Sequence, residues 1–170
     1  TMDMWDPFIN AVKDHFVEAQ SLIAFDRFHV AQHFGRALDK VRAEEHRLLS
    51  TTFEKSPLLK SKHQWLTNSQ RVDNRSGKRR AFLSLSRMNL KTARAWRIKE
   101  TAASLWNFSY MGVAQKNWQL LLNWISRCQL APMIAVGKMV RRFLWGILNA
   151  IRLKVNNSML EAKNARIQRI

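Results

Sequence analysis

The amino-acid sequence predicts an α+β chain that is predominantly α-helical, with two short strands confined to residues 1–25. Apolar residues recur at spacings of three and four through most of residues 81–155, which indicates a succession of amphipathic helices. Two brief apolar runs near the start are bounded by polar residues, a pattern typical of strands. Hydrophobic residues make up 46% of the 170 residues and charged residues 24%, so the chain has a globular composition that fits one to two domains.

The first 30 residues combine strand and helix signals. Residues 1–5 have the character of a strand end, and Asp6-Pro7 then resembles an N-cap followed by proline at the first helical position. A helix is predicted over residues 7–16, where apolar residues form one face. Residues 21–25 are a short apolar run, which indicates a buried strand that ends at Asp26.

Helical periodicity returns at residue 30 and continues almost to the end of the chain. Residues 50–80 interrupt it with turn and loop signals, the last of which, over residues 73–80, is strongly basic. Pro132 breaks the chain between two helices. Helices are predicted over residues 30–49, 88–107, 113–127 and 133–153, and from about residue 158 onward.

Charge is distributed unevenly along the sequence, and this is the first indication of function. The chain carries a formal net charge of +17. Residues 1–50 hold 6 basic and 8 acidic residues, whereas residues 51–170 hold 23 basic and 4 acidic residues. A surface this basic repels itself unless a polyanion balances it, and phosphate neutralisation with counterion release makes nucleic acid the expected partner. The alternative is a solvated basic face with no such partner.

Cysteine and histidine content limits the metal and redox chemistry. The single cysteine, Cys128, excludes a disulfide framework and a multi-cysteine zinc site, and it points to a reducing compartment. His29 and His33 are four residues apart and share a helix face, but no cysteine or third histidine has a partnering spacing. We therefore expect no zinc site there.

Membrane insertion and secretion are not expected. The most apolar run, residues 143–151, is short and is flanked by Arg141, Arg142 and Arg152. The first residues lack the basic start and apolar core of a signal peptide. Because residue 1 is not methionine, we expect the chain to be a fragment of a longer one.

Tryptophan is abundant, with seven residues. Aromatic side chains interleaved with arginine and lysine can stack on unpaired bases, but tryptophan at helical spacing is more often part of a core. We expect core positions for most of them. Trp65 is the exception, since it lies in the loop-rich stretch beside Lys60, Lys62 and His63, and it is a candidate for base stacking.

Three acidic positions are candidates for chemistry. Asp3 follows the first predicted strand, Asp26-Arg-Phe-His29 follows the second, and Glu161 lies among basic residues near the end. Carboxylates from separate elements can hold Mg²⁺ ions that activate attacking and leaving oxygens. Each residue also has a structural explanation: Asp3 fits a turn, and Ser158 and Glu161 have the spacing of a capping box.

Five segments resemble a known family, the bacterial insertion-sequence transposases of the ISL-three type, which carry a DDE catalytic domain related to Mutator-like transposases. The similar segments are Met-Asp-Met-Trp-Asp-Pro-Phe at residues 2–8, Phe-Asp-Arg-Phe-His-Val at residues 25–30, residues 87–97, residues 138–152, and Asn-Asn-Ser-Met-Leu-Glu-Ala-Lys-Asn-Ala-Arg-Ile at residues 156–167. Together they cover essentially the whole chain.

The resemblance implies a partial ribonuclease-H-like fold, with two short strands and a large helical insertion. Asp3 then matches the second catalytic aspartate and Glu161 the catalytic glutamate. Asp26 with His29 matches the Asp-x-x-His signature that follows the second aspartate in Mutator-like relatives. Asp3 and Glu161 would hold Mg²⁺ or Mn²⁺. In an alternative assignment Asp26 holds the metal and Asp3 is structural.

The resemblance also implies an organisation and an activity. Residues 1–30 would be the remnant of the sheet, residues 31–155 the helical insertion, and residues 156–170 the helix of the catalytic glutamate. The activity would be metal-dependent DNA strand cleavage and strand transfer. Since the first catalytic aspartate belongs upstream of residue 3, we expect this chain to be inactive alone. The full-length protein is expected to be a homo-oligomer in the bacterial cytoplasm, associated with the nucleoid.

Basic residues around these motifs are expected to bind the phosphates of transposon-end and target DNA. The alternative to a transposase catalytic domain is a non-catalytic, basic, helical nucleic-acid-binding module whose acidic residues only cap helices and turns. A third interpretation of the chain is a basic protein–protein adaptor. The residues expected to contact DNA are Lys163, Asn164, Arg166 and Arg169 near the scissile site, with Arg141, Arg142, Lys78, Arg79 and Arg80 elsewhere.

Overall fold

The computed structural model describes residues 1–52, 54–67 and 78–155, and this part of the chain is predominantly helical, as predicted. A 3₁₀ turn, Leu105–Asn107, follows the sixth helix. The helices are α1 Asp6–His15, α2 Ala19–Leu22, α3 Arg27–Thr52, α4 Lys62–Leu66, α5 Lys78–Arg87, α6 Lys91–Ser104, α7 Met111–Arg127 and α8 Ala131–Leu153.

Most predicted helix positions are confirmed, with shifted ends. The break at Pro132 is the start of α8, where proline occupies one of the first two helical positions. The predicted loop over residues 50–80 contains α4 and the first residues of α5. The helix predicted from residue 158 lies outside the described residues.

The two predicted strands are not formed in the described residues. Met2 and Phe25 make only an isolated parallel bridge, in which the Met2 amide donates to the Ala24 carbonyl at 3.0 Å and the Asp26 amide to the Met2 carbonyl at 3.2 Å. Residues 19–22 form α2 instead of a strand. The Phe25 amide donates to the Gly146 carbonyl of α8 at 3.1 Å, so a helix occupies the place where a third strand would pair.

The core is formed by α3, α6, α7 and α8. In it, α3 packs on α6 and α8, and α7 packs on α8. Gly137 allows α7 and α8 to approach closely, because a Cβ atom there would lie 2.5 Å from Ile125 Cγ2. The largest fully buried side chains include Phe34, Leu38, Ile98, Trp118, Ile125, Met133 and Ile147. Their burial follows from the apolar stripes of the sequence.

The second half of α8 holds the N-terminal segment in place. Phe25 is fully buried, and its ring makes edge contacts with Phe143 at 5.4 Å and Trp145 at 5.1 Å. Gly146 faces the same ring so closely that a Cβ atom there would clash with it. The absence of a side chain at Gly146 therefore sets the position of Phe25, and with it that of Asp26.

Polar side chains of α8 complete this attachment at the carboxyl end of α2. Asn149 Nδ2 donates to the carbonyls of Gln20 and Ile23, each at 2.8 Å. Arg152 Nη2 donates to the Ser21 carbonyl at 2.6 Å. The last carbonyls of a helix have no partner within the helix, so these donors satisfy groups that α2 cannot pair itself.

A carboxylate from α3 caps α6. Glu45 is buried, and its oxygens accept hydrogen bonds from the Lys91 and Thr92 amides at 2.7 Å and from the Thr92 hydroxyl at 2.6 Å. The first amides of a helix are unpaired and carry partial positive charge. A negative side chain from a distant helix therefore fixes the start of α6 against α3.

Trp65 is a core residue, and the prediction that it stacks on bases is wrong. Its side chain is fully buried, with ring contacts at 5.0 Å to Phe82 and 6.3 Å to Trp96, and its Nε1 donates to Ser61 Oγ at 3.1 Å. This aromatic cluster joins α4, α5 and α6. No helix among the described residues is long and apolar enough to cross a membrane.

Candidate functional site

The parallel bridge brings Asp3 and Asp26 to the same edge of the molecule. Each aspartate comes directly after one of the two bridged residues, Met2 and Phe25. The Asp3 side chain is 51% exposed, and its Oδ1 accepts a hydrogen bond from the Met4 amide at 2.7 Å. Asp26 is only 4% exposed. Asp3 is thus open to a ligand from solvent, whereas Asp26 lies beneath the surface.

Asp26 caps the start of α3. Its Oδ1 accepts a hydrogen bond from the Phe28 amide at 2.9 Å, the geometry of an N-cap. Its Oδ2 is buried and has no hydrogen-bond partner among the described residues. A buried carboxylate oxygen without a partner is costly, because it has given up water and gained nothing in exchange. This oxygen is therefore available to a cation or a donor from outside the described residues.

His29 lies beside Asp3 at the start of α3. Its Nδ1 is 3.9 Å from Asp3 Oδ1. One turn further along α3, burial and then the nearby charge of Arg36 lower the pKa of His33, an effect that Asp3 partly opposes. His29 and His33 thus lie on the face of α3 that is turned toward Asp3.

The donor set for a metal is incomplete within the described residues. Asp3 and Asp26 offer the hard oxygens that Mg²⁺ prefers, so their chemistry fits that ion. However, the described part of the chain contains no group of three histidine, cysteine, aspartate or glutamate side chains that could hold a metal. Glu161 and the basic residues expected near it, Lys163, Asn164, Arg166 and Arg169, lie outside the described residues.

Arg141 and Arg142, adjacent on α8, differ in their surroundings. Arg142 Nη2 donates to Asp6 Oδ1 at 2.8 Å in an ion pair with α1, and its guanidinium lies 5.0 Å from the Phe143 ring centre. Arg141 is exposed, and its one side-chain contact within the described part of the chain is long, at 3.5 Å to Asn123 Oδ1. Of the two, Arg141 is the better placed to meet a phosphate.

A shallow basic depression of about 460 Å³ lies on α5. Arg79 and Arg80, two of the residues expected to contact DNA, line it together with Leu83, Ser84 and Arg87. Lys78 begins the same helix. Sequence reasoning missed Arg87, although its position seven residues after Arg80 places both on one helix face.

Comparisons with known proteins give one match. The family model of transposases of the ISL-three type, which carries the description "Transposase", matches residues 1–170. No curated protein and no solved structure matches the chain.

Proposed function

Because the chain belongs to the ISL-three family of transposases, we propose that it forms part of a catalytic domain that cleaves DNA strands and transfers them with the help of metal ions. The observation that carries this proposal is the bridge between Met2 and Phe25, which sets Asp3, Asp26 and His29 together at one edge. In this proposal residues 1–30 belong to a ribonuclease-H-like sheet, residues 31–155 to a helical insertion, and residues 156–170 to the helix of Glu161.

Asp3 and Glu161 would hold Mg²⁺ or Mn²⁺. The bound ions would supply Lewis-acid polarisation of the phosphodiester and a more acidic water. Asp26 acts as a positioning residue, because its hydrogen bond to the Phe28 amide fixes the first turn of α3. His29, which follows on that turn, is thereby held beside the Asp3 carboxylate.

The basic residues of the described helices would bind DNA backbones. Arg80 and Arg87 share the α5 depression, and Arg141 projects from α8. None of these three residues forms an ion pair with a carboxylate among the described residues. Their charge is therefore available to phosphates, and the resulting affinity would fall steeply with salt.

A second function, a DNA-binding module without catalysis, is favoured by the net charge of +17, which DNA phosphates would balance whether or not the chain holds a metal. The two functions differ in one measurable respect. A binding module would show DNA affinity that does not depend on divalent metal, whereas the catalytic domain would cleave DNA only when metal is present.

The test is nicking of an end-labelled transposon-end duplex in Mg²⁺ or in EDTA, by this chain and by a longer protein that contains it. We expect the longer protein to show metal-dependent cleavage that falls about 100-fold or more in Asp3→Asn and Glu161→Gln, the scale of losing one electrostatic group at a reacting centre. Asp14→Asn is the control. Asp14 is an exposed carboxylate near the end of α1 and is not among the residues proposed to hold metal, so this variant should cleave normally.

Mn²⁺ binding measured by calorimetry gives a second readout on the same variants. Weaker binding in Asp3→Asn than in Asp26→Asn supports Asp3 as the ligand, and the reverse order assigns the metal to Asp26. DNA binding without cleavage in every protein and metal would refute the catalytic proposal and leave the binding module.

A further inference from the structure

Gly35, in the interior of α3, is a glycine that neither backbone conformation nor packing requires. Its φ is not in the left-handed region, and a Cβ atom there would meet only Leu66 Cδ2, at 3.9 Å. Gly137 and Gly146, in contrast, each face a side chain that a Cβ atom would strike. Because glycine destabilises a helix interior relative to alanine, the open space beside Gly35 calls for another explanation.

The open space is a groove of about 740 Å³ between α3, α4 and the end of α6 with its 3₁₀ turn. We call it the Gly35 groove. Its apolar lining includes Phe28, Leu66 and Trp106. Phe28 is 58% exposed, so its ring is available to a flat partner within the groove. A side chain at residue 35 would occupy part of this volume.

The charged lining of the groove is predominantly cationic. Lys62 pairs with Asp39 at 2.7 Å, and Lys99 pairs with Glu100 at 2.6 Å, so the two lining carboxylates are balanced by lysines. Arg27 donates to the Ala103 carbonyl at 3.2 Å. Two further lining charges, those of Arg27 and Arg36, have no carboxylate within ion-pair distance among the described residues.

We propose that the Gly35 groove binds a single unpaired nucleotide of DNA, with its base against Phe28 and its phosphates near Arg27 and Arg36. This inference rests on the proposed function, since it requires that the chain binds DNA. An exposed aromatic ring with cationic neighbours is the arrangement that holds unpaired bases, whereas the bases of an intact duplex remain stacked inside it. Gly35 leaves the space that the base occupies.

The position of the groove supports this occupant. Arg27 and Phe28 line it, and both come directly after Asp26. His29, beside Asp3, belongs to the same turn of α3. A strand that places one unpaired nucleotide in the groove therefore lies next to Asp3, the described carboxylate that is proposed to hold metal.

The test compares Gly35→Leu, which fills the groove, with the matched control Gly35→Ala, for which the structure has room. Dissociation constants are measured by fluorescence anisotropy at fixed salt for a single-stranded oligonucleotide and for a duplex of the same length. We expect Gly35→Leu to weaken single-strand binding about tenfold or more, the loss for one stacked base, with duplex binding within twofold of wild type. Gly35→Ala should bind both as wild type does.

A second variant, Arg36→Gln, tests the phosphate contact. It should reduce the slope of log affinity against log salt by about 0.7 for the single strand, the value for one phosphate. Thermal unfolding of each variant establishes that the fold is intact.

Unchanged single-strand binding in Gly35→Leu would overturn the proposal, as would an equal loss for single strand and duplex. Binding of an acidic amphipathic peptide in the groove, without competition from DNA, would assign the groove to a protein partner. That result would also overturn the proposal. Failure of the wild-type chain to bind either DNA would instead refute the proposed function, so the two failures are distinguishable.

Discussion

Replacing Gly146 by alanine tests whether the contact between α8 and Phe25 controls the N-terminal segment. The added methyl group would strike the Phe25 ring, which cannot move away because Phe143 and Trp145 hold its other sides and its amide is bonded to the Gly146 carbonyl. Overpacking of a tight core costs up to about 3 kcal/mol. Alanine recovers about 1 kcal/mol of helix propensity. We expect the free energy of unfolding to fall by about 2 kcal/mol.

The loss should appear as a decrease in Tm of about 4–8 °C for a chain of this size, measured by calorimetry. Gly35→Ala is the control, since it adds the same methyl group to a helix interior where there is space, and it should raise stability by up to about 1 kcal/mol. Hydrogen exchange should also accelerate at the Phe25 and Asp26 amides, whose acceptors move apart. A Tm equal to or above wild type in Gly146→Ala, with both amides still protected, would refute the reasoning.

Two further predictions concern α3. Glu45→Gln should lower the free energy of unfolding by about 1–3 kcal/mol, because the part-buried Lys91 amide and the buried Thr92 amide lose a charged acceptor. In urea unfolding at pH 7, Glu44→Gln on the exposed face should be neutral, and equal stabilities of the two variants would contradict the capping role. Burial lowers the pKa of His33 in the folded chain from 6.5, the value of an unfolded histidine. Folding therefore favours the neutral imidazole. This contribution to stability is complete above pH 6.5 and is lost as the pH falls through the folded pKa. His33→Gln should therefore lose less stability than wild type between pH 7.5 and pH 5 in the same assay, and an identical pH dependence would show that this pKa is not lowered.

Regular helices were predictable because their signal is local. The apolar stripes of α7 and α8 repeat every three to four residues, and the structure forms both helices within a few residues of the predicted bounds. The strand predicted over residues 21–25 failed because a short apolar run does not reveal what covers it. Its partner, Gly146, is more than 100 residues away, and no local pattern indicates that contact.

Burial of Trp65 was missed for the same reason, since Phe82 and Trp96 come from other helices. The sequence placed Asp3 and Asp26 after two predicted strands, but it did not predict that these segments pair. The parallel pairing of Met2 with Phe25, which the structure forms without a sheet, is what brings Asp3 close to His29. The Gly35 groove left no signal except one glycine in a helical pattern.

The attachment of the N-terminal segment to α8 has a consequence for the order of events during synthesis. Phe25, Gln20 and Ser21 find their partners in Gly146, Asn149 and Arg152, which the ribosome adds more than 100 residues later. Contacts with such large sequence separation form late, since a long loop must close first. The nascent chain thus carries Asp3 and Asp26 unassembled until the end of α8 has emerged, so the edge that they form arises only after residue 152 has left the ribosome.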